Sequence, residues 1–302
     1  MSKQYFAKCE ACPRRCGVNR LAGELGRCRV PATPLLARAA LHAWEEPPLS
    51  GTRGSGTVFF SGCSLGCVFC QNQRIAGGEV GVEVTAGRLA DIFLSLEAAG
   101  AHNINLVTPT HYAPLLLDVI PEARRRGLTI PIVYNSGGYE RVETLRLLRG
   151  LIDIYLPDFK YADPGLAARY ASAPDYPDVA RAALSEMVAQ VGTPLLDADG
   201  VMKRGVIVRH LMLPEAYRNS HDVVKHLATF GDSIYISLMN QYTPMPGVAE
   251  RYPELAAPVR EKDYRRLCAY AARLGITQAF VQEGGTVDAS FIPPFDLTGV
   301  LP

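Results

Sequence analysis

The chain has 302 residues, 48% of them hydrophobic and 20% charged, with a formal net charge of +1 at pH 7. These values are typical of a globular protein that buries a sizeable core. The near-zero charge and the lack of an 18-residue apolar stretch give no indication of a nucleic-acid or membrane partner, and we expect neither.

Residues 1–50 are the first predicted unit, an N-terminal segment rich in Cys, Arg and Pro. Its start has no apolar core of a signal peptide, so we expect a cytoplasmic, reducing location, where clustered cysteines bind metal more often than they form disulfides. The unit ends in WEEPPLSGTRGSG, whose composition predicts a linker or a mobile loop.

Four cysteines of this segment have the spacing C-x2-C-x3-C-x11-C. They are Cys9, Cys12, Cys16 and Cys28. Four thiolates complete the coordination of a metal centre, which suits structural Zn²⁺ or a fully ligated iron–sulfur cluster. The spacing predicts a bound metal and leaves both kinds open.

From residue 51 to residue 302, short apolar runs alternate with longer amphipathic stretches. The predicted strands are TVFFSG, NINLVT, IPIVYN, LIDIYLP, GVIVRHLML, DSIYISLM and a short candidate, QAFVQEG. The predicted helices between them are Thr85–Ala99, YAPLLLDVIPEARRRG, YERVETLRLLRG, Pro164–Val191, SHDVVKHLATFG and VREKDYRRLCAYAARLG. This alternation predicts an α/β fold of about six parallel β/α units, arranged as a doubly wound sheet or as a complete or partial barrel.

Polar side chains follow five of the predicted strands. They are Thr108 and Thr110, Asn135 and Ser136, Asp158 and Lys160, Arg209, and Gln241. Because the carboxyl ends of parallel strands carry ligand sites in such folds, we expect these side chains to surround one site.

The loop after the first predicted strand contains the sequence GCSLGCVFCQN, with Cys63, Cys67 and Cys70 spaced C-x3-C-x2-C. Three thiolates hold three corners of a cubane cluster and leave one iron open to a substrate. The alternatives are a structural zinc site with a distant fourth ligand and unrelated core cysteines. The eighth cysteine, Cys268, lies in a predicted helix and is expected to be a core residue.

The pattern C-x3-C-x-Φ-C, with Phe69 before the last cysteine, resembles the radical S-adenosylmethionine superfamily. Together with VTPTHY, YNSGGY, LPDFKY and LMNQYTP, it resembles the pyruvate formate-lyase activating enzyme-like branch, the glycyl radical enzyme activases. The resemblance implies that residues 51–302 form a partial (β/α)6 TIM-type barrel. It also implies a [4Fe–4S] cluster on the three cysteines, with S-adenosylmethionine bound at the open iron.

The implied activity is that of an oxidoreductase. One electron from the cluster cleaves S-adenosylmethionine to methionine and a 5′-deoxyadenosyl radical, which abstracts a hydrogen atom, so no side chain is expected to act as acid, base or nucleophile. The expected hydrogen donor is a glycine of a partner glycyl radical enzyme, with a small molecule or another peptide as the alternative. Flavodoxin or ferredoxin is an expected electron donor.

A function from another class is also consistent with the cysteine patterns. The chain could be a non-catalytic iron–sulfur electron carrier or a zinc-stabilised binding module. The polar strand ends count against this alternative, because an electron carrier has no need of them.

The resemblance also assigns cofactor contacts. Phe69 is expected to pack against the adenine, and Asn135 with Ser136 to face the cofactor. Lys160, near Asp158, is expected to bind the methionyl carboxylate. The alternatives are that the Asn-Ser pair turns the chain and that Asp158 and Lys160 form an ion pair at the barrel rim.

Three further positions are assigned in the same way. Arg209 and Gln241 are expected to approach the cofactor from the fifth and sixth strands, with a core carboxylate partner as the alternative for Arg209. The superfamily's usual Gly-Gly-Glu at the second strand end is replaced by Thr108-Pro109-Thr110, and we expect the two threonines to take its place. The Gly-Gly-Glu at residues 77–79 is predicted to be a turn, because it follows Cys70 too closely to end a second strand.

Overall fold

The computed structural model describes residues 2–245, 247–282 and 293–301. The strands are β1 Leu35–His42, β2 Ser55–Phe60, β3 Val82–Glu83, β4 Ile104–Val107, β5 Ile132–Ser136, β6 Ile154–Pro157, β7 Leu195–Leu196, β8 Met202–Leu211, β9 Tyr235–Met239 and β10 Ala279–Val281. Each predicted strand is confirmed, although the last two residues of QAFVQEG lie outside the described residues.

The helices are α1 Gln4–Ala7, α2 Pro47–Ser50, α3 Gln73–Ala76, α4 Ala86–Ala98, α5 Leu116–Arg125, α6 Val142–Leu147, α7 Pro164–Ala171, α8 Tyr176–Val191, α9 Tyr217–Leu227, α10 Val248–Arg251 and α11 Glu261–Arg273. Each predicted helical stretch overlaps a helix, but Pro164–Val191 is two helices, because Ser172 ends the first in a left-handed conformation. The short helices α1, α2, α3 and α10 were not predicted. In the described part of the chain, no helix is both long and apolar enough to span a membrane.

One mostly parallel sheet organises the chain. Across it the strands run in the order β10-β9-β8-β6-β5-β4-β2-β1-β3, and β7 pairs with β8 outside this path. All neighbours from β2 to β10 are parallel, whereas β1 is antiparallel to both β2 and β3. Within the described ranges β3 and β10 do not pair with each other, so the sheet stays open. The predicted α/β fold with a partial barrel is confirmed.

The two faces of the sheet have different environments because side chains alternate along each strand. On the outer face Tyr134 and Tyr155 belong to a large apolar core that includes the helices. On the inner face Val133, Ile154 and Leu156 form a smaller core. Polar groups at the carboxyl ends of the strands lie directly beyond this inner core.

A short segment between β1 and β2 fills the interior of the open barrel. We call residues 43–50, which include α2, the plug segment. Leu49 is fully buried in the inner core, and its carbonyl accepts a hydrogen bond of 2.8 Å from Asn103 Nδ2. The prediction of a linker or a mobile loop was therefore wrong for this segment, because its backbone and Leu49 belong to the core.

The sheet also crosses the predicted boundary at residue 50. β1 lies in the N-terminal unit, yet it pairs along most of its length with β2, from Leu36 opposite Phe60 to His42 opposite Ser55. The cysteine-rich residues before β1 contain little regular structure besides the short α1. What precedes β1 is thus an extension packed onto the sheet, and β1 itself is part of the sheet.

Candidate functional site

The three cysteines lie in a loop that crosses the carboxyl ends of the parallel strands. We call residues 61–72 the triplet loop. At its start the carbonyl of Ser61 is 2.8 Å from His111 Nε2, beyond β4. In its middle the amide of Val68 donates to the carbonyl of Tyr170 over 2.9 Å, and at its end Gln71 Nε2 is 3.5 Å from the carbonyl of Gln241, beyond β9.

Gly137 and Gly138 form the turn after β5, and their lack of side chains lets the triplet loop and the end of β6 pack directly against this turn. A Cβ atom on Gly137 would lie 2.8 Å from Leu65 Cδ1 of the triplet loop. Gly138 has a φ of +74°, and a Cβ there would lie only 2.1 Å from the carbonyl oxygen of Asp158. Only glycine satisfies both the left-handed backbone and this close approach.

The thiols of the triplet loop lie close enough to influence one another electrostatically. Burial raises the pKa of Cys67 to about 11, and the charge of Cys63 adds to the effect. Burial raises the pKa of Cys70 to about 12, with further contributions from Cys63 and Cys67. Such thiols give up their protons only to a bound metal or to a strong base, so ionisation and metal binding are coupled here.

Two neighbouring side chains fit an anionic metal–thiolate group. The hydroxyl of Tyr161 is buried and directed at Cys67, and its interaction with the sulfur lowers the pKa of that thiol. Lys160 also lies near Cys67 and lowers the pKa of that thiol. A thiolate sulfur is a stronger acceptor than a thiol, so ionisation of Cys67 in a cluster would strengthen its contact with the Tyr161 hydroxyl. By residue type the three thiols fit a three-cysteine iron–sulfur site, although in the described residues their sulfurs do not surround the position of a single metal ion.

Lys160 and Asp158 form an ion pair at the end of β6. Lys160 Nζ is 2.5 Å from Asp158 Oδ2, and 20% of the lysine side chain and 24% of the aspartate side chain are exposed. Burial alone would lower the pKa of Lys160, but the charges of Asp158 and Cys67 outweigh it and raise the pKa. The rim ion pair is therefore present, and it holds a cation beside Cys67.

Arg209 lies on the inner face at the register of Asp158, but two carboxylates of the plug segment hold it. Its Nε donates to Glu46 Oε1 over 2.7 Å, and its Nη2 bonds both Glu46 and Glu45. Both glutamate side chains are less than a tenth exposed. The alternative of a core carboxylate partner is thus what the structure shows, and a direct cofactor contact by Arg209 gains no support.

Asn135 and Ser136 project to opposite faces of β5 because they are consecutive strand residues. Asn135 shares the inner face with Val133, beyond the inner core. Ser136 is 2% exposed on the outer side, where its hydroxyl accepts from the amide of Gly138 at 3.3 Å. The expectation that both face a cofactor therefore agrees with the placement of Asn135 and not with that of Ser136.

The two threonines after β4, Thr108 and Thr110, differ in backbone conformation and in hydrogen bonding. Thr108 has a φ of +60°, which is strained for a β-branched residue, and its amide donates to the carbonyl of Asn135 at 2.8 Å. Thr110 is buried, and its hydroxyl donates to Glu140 Oε1 at 2.5 Å. Burial raises the pKa of this Glu140 to about 7. Because the Thr110 hydroxyl is engaged with a buried carboxyl group, a cofactor contact by Thr110 gains no support.

Phe69 and Gln241 are both fixed by neighbours. Phe69 is 6% exposed and makes edge-on contacts with the rings of Tyr170 and Tyr242, each with centroids 6.2 Å apart. Gln241 Oε1 accepts a 2.8 Å hydrogen bond from Gln282 Nε2. Phe69 lies near the end of the triplet loop, Gln241 follows β9 close to Gln71, and their predicted contacts with a cofactor stay predictions.

The four cysteines of the N-terminal segment also come together. Burial raises the pKa of Cys12 to about 12, with contributions from Cys28 and Cys9. Burial likewise raises the pKa of Cys28, with contributions from Cys9 and Cys16. Among the residues that the structure describes, no group of three or more His, Cys, Asp or Glu side chains surrounds the position of a single metal ion. A metal at these positions stays a prediction.

The sequence analysis missed several residues that shape the site. Glu45 and Glu46 were included in the predicted linker, although two adjacent acids in an otherwise apolar stretch could have suggested a buried partner for Arg209. Tyr161 follows Lys160 directly, but nothing in the sequence indicates that its hydroxyl lies beside Cys67. Such contacts depend on how distant segments pack.

Comparison with known proteins adds one clear relative. The chain is 30% identical over 266 residues to the uncharacterized protein MJ0674 of Methanocaldococcus jannaschii, a match that covers 84% of this chain and 71% of the relative. No protein-family model matches the chain.

Two solved structures resemble the fold at lower similarity. Methylornithine synthase (PylB) has a TM-score of 0.49 and 16% identity, covering 80% of this chain and 69% of the synthase. SuiB of Streptococcus suis, bound to S-adenosylmethionine, has a TM-score of 0.47 and 13% identity, covering 74% of this chain and 46% of SuiB.

Proposed function

The chain belongs to the family of the uncharacterized protein MJ0674 of Methanocaldococcus jannaschii, and we propose that it is a radical S-adenosylmethionine enzyme. The observation that carries the proposal is the triplet loop. It brings three half-buried thiols to the carboxyl ends of the parallel strands, beside the Lys160 cation and the Tyr161 hydroxyl.

Cys63, Cys67 and Cys70 would hold a [4Fe–4S] cluster as thiolates. Bound there, the cluster supplies the electron that cleaves S-adenosylmethionine reductively to a 5′-deoxyadenosyl radical. Tyr161 and Lys160 contribute a hydrogen-bond donor and a positive charge next to Cys67, which stabilise its thiolate form. Asp158 keeps the lysine charged and oriented.

The residues around the cluster loop orient a cofactor and exclude water. Arg209 is bonded by both Glu45 and Glu46, whereas the Lys160 ammonium bonds Asp158 and has further N–H donors with which it could bind a carboxylate. The inner core below the strand ends closes the barrel from the other side. This arrangement supports a site that binds the methionyl carboxylate at Lys160 and keeps the reacting group dry.

For the hydrogen donor we propose a glycine in a partner glycyl radical enzyme, with electrons from a flavodoxin or ferredoxin. The support is the resemblance of the motifs to the activating enzymes. A small molecule or another peptide is the second candidate. Electron paramagnetic resonance distinguishes them, because only the first produces a persistent radical on an added partner protein.

The test of the proposal measures 5′-deoxyadenosine after anaerobic loading with iron and sulfide and chemical reduction. We expect product from the native chain and none from Cys67→Ser. The control is Cys268→Ser, which changes a half-buried thiol in α11 and should leave product formation intact. A reduced, fully iron-loaded chain that forms no 5′-deoxyadenosine contradicts the proposal. A cluster spectrum that S-adenosylmethionine does not change would favour an electron carrier instead.

A further inference from the structure

A buried arginine stands beside the cysteines of the N-terminal segment. Arg20 is only 2% exposed and is among the largest fully buried side chains in the described chain. Its guanidinium lies between the rings of Phe6 and Tyr112, at 4.9 Å and 5.0 Å from their centroids. A charge buried this deeply needs a compensating anion, because the cost of removing it from water is large.

In the described parts of the chain, no carboxylate provides that compensation. The ion pairs found within the described ranges do not include Arg20. Its Nη1 and Nη2 donate to the carbonyls of His111 and Pro31, at 2.5 Å and 2.6 Å, and its Nε has no partner in the same part of the chain. Carbonyl groups satisfy hydrogen bonds but leave the positive charge uncompensated.

The guanidinium points towards sulfur. Arg20 Nη1 lies 3.8 Å from Cys9 Sγ, and the charge of Arg20 also acts on Cys28. The amide of Arg27 lies 3.3 Å from Cys16 Sγ, which adds a second donor directed at a sulfur of the same group. Donors that converge on sulfur atoms are the usual surroundings of metal-bound thiolates.

We propose that Cys9, Cys12, Cys16 and Cys28 bind a metal as a tetrathiolate centre, with Arg20 as its buried counter-ion. Zn²⁺ and a [4Fe–4S] cluster share the relevant chemistry, since either one with four thiolates carries a net charge of about −2. In the described residues the four sulfurs do not surround one metal position, so binding requires the cysteine side chains to rotate about χ1. This inference does not depend on the reaction at the triplet loop.

The proposed tetrathiolate centre also packs against the triplet loop. The carbonyl of Cys28 packs against Gly62 so closely that a Cβ there would lie 2.7 Å from it. Between Cys12 and Cys16, Arg14 donates to the carbonyls of Ser64 and Leu65 at 2.9 Å and 3.4 Å. The tetrathiolate centre therefore holds the triplet loop in place through these contacts, and loss of the metal from the centre loosens the loop.

The first experiment counts metal in a variant that lacks the three triplet cysteines, Cys63→Ser with Cys67→Ser and Cys70→Ser. We expect one zinc per chain, or iron and sulfide of one cluster per chain, and loss of that metal when Cys9→Ser and Cys28→Ser are added. Because no S-adenosylmethionine chemistry is involved, the result is separate from the test of the proposed function. A triple variant without stoichiometric metal overturns the proposal.

The second experiment tests the counter-ion in the same background with Arg20→Met. We expect metal release to a chelator to be about 10- to 100-fold faster, the usual cost of removing a supporting partner of a metal ligand. Arg20→Lys keeps the charge and should restore much of the retention. Arg29→Met, which changes an exposed arginine of the same segment, is the matched control.

The direction in which Arg20→Met shifts the urea midpoint distinguishes a counter-ion role of Arg20 from a role in packing alone. When Cys9→Ser and Cys28→Ser have removed the metal, Arg20 is an uncompensated buried cation, so Arg20→Met should leave the urea midpoint unchanged or raise it. With the metal bound, the same substitution should lower the midpoint. Equal metal retention in the native chain and in Arg20→Met, or the same effect on the midpoint in both backgrounds, overturns the counter-ion role.

Discussion

The charged residues inside the barrel act as pairs, and Arg209 with Glu46 is the clearest of them. Burial alone would raise the pKa of Glu46, but the charge and hydrogen bonds of Arg209 outweigh it and lower the pKa. The paired carboxylate therefore stabilises the fold above the pKa of an unfolded glutamate, about 4.3. This stabilisation is lost as the pH falls through the lower value of the folded state.

Replacing Arg209 by Met should reverse this pH dependence. Two buried carboxylates would lose their partner, so we expect the free energy of unfolding at pH 7.5 to fall by about 3–5 kcal/mol. Burial would then raise the glutamate pKa values, so the variant should gain stability as the pH is lowered from 7.5 to 5.5. Urea unfolding at both pH values measures this.

The matched control for that measurement is Arg260→Met. Arg260 pairs with Asp263 at 2.6 Å, but 68% of its side chain is exposed. Its loss should leave the urea midpoint essentially unchanged, because water screens an exposed pair. A variant Arg209→Met that is as stable as the native chain, or that loses stability on acidification, contradicts the assigned role of the pair.

Lys160→Met tests the carboxylate site of the proposed function. Loss of a charge-assisted hydrogen bond costs about 1.5–3 kcal/mol, which is about a 10- to 100-fold higher concentration of S-adenosylmethionine for half-maximal product. Formation of 5′-deoxyadenosine against cofactor concentration measures it. The control is Lys203→Met, which removes a lysine paired with Asp197 at 2.9 Å at the amino end of β8, away from the strand ends that carry the site. An unchanged half-saturating concentration counts against Lys160.

At the scale of elements, the turns at the strand ends pack closely against one another because a glycine stands where they meet. The turn after β5 passes the carbonyl of Asp158 at a distance that leaves no room for a side chain at Gly138. Tyr176 spans the same junction, since its hydroxyl donates to the carbonyl of Gly137 and accepts from the amide of Lys160, both at 2.9 Å. The position of Lys160 thus depends on the backbone of the neighbouring turn.

Gly138→Ala should therefore be far more damaging than an alanine at another left-handed glycine. Gly150 has a φ of +80° with nothing within 4 Å of a Cβ, so Gly150→Ala should cost only about 1–2 kcal/mol of unfolding free energy, the usual cost of a left-handed alanine. Gly138→Ala adds a backbone clash and should cost several times as much, with loss of cluster iron. Similar unfolding free energies for the two variants would refute this explanation.

At the scale of the whole molecule, the N-terminal residues and the barrel depend on each other. β1 covers the edge of β2, Leu49 fills the inner core, and Glu45 and Glu46 neutralise Arg209. All of these lie before residue 51, on the far side of the predicted boundary. An open sheet edge and an unpaired buried cation are both costly, so the barrel is incomplete without them.

Two truncations test this dependence. We expect the chain 34–302, which keeps β1 and the plug segment, to unfold cooperatively with temperature. The chain 51–302 should aggregate or melt without a cooperative transition, because it exposes β2 and the inner core. Circular dichroism and size-exclusion chromatography measure both. A chain 51–302 that unfolds as cooperatively as 34–302 shows that the boundary at residue 50 is a true domain boundary.

The sequence by itself did not indicate β1, β3 or β7. It did determine the parallel strands with the helices between them, and the place of the three triplet cysteines after the first of those strands. Both depend on local information: the periodicity of apolar residues specifies each element, and the carboxyl ends of parallel strands necessarily meet at one edge. Period-two alternation would also have separated Asn135 from Ser136, had it been applied to β5.

Only the tertiary structure decided which polar groups are free to act. Arg209 is bonded by acids 163 and 164 positions away in the chain, and Arg20 is buried against a carbonyl 91 positions away. No local pattern encodes such pairs, because they result from packing of segments that the sheet brings together. For that physical reason only the structure shows that Glu45 and Glu46 bond Arg209 and that Asp158 bonds Lys160, and the cofactor contact of Lys160 stays a prediction.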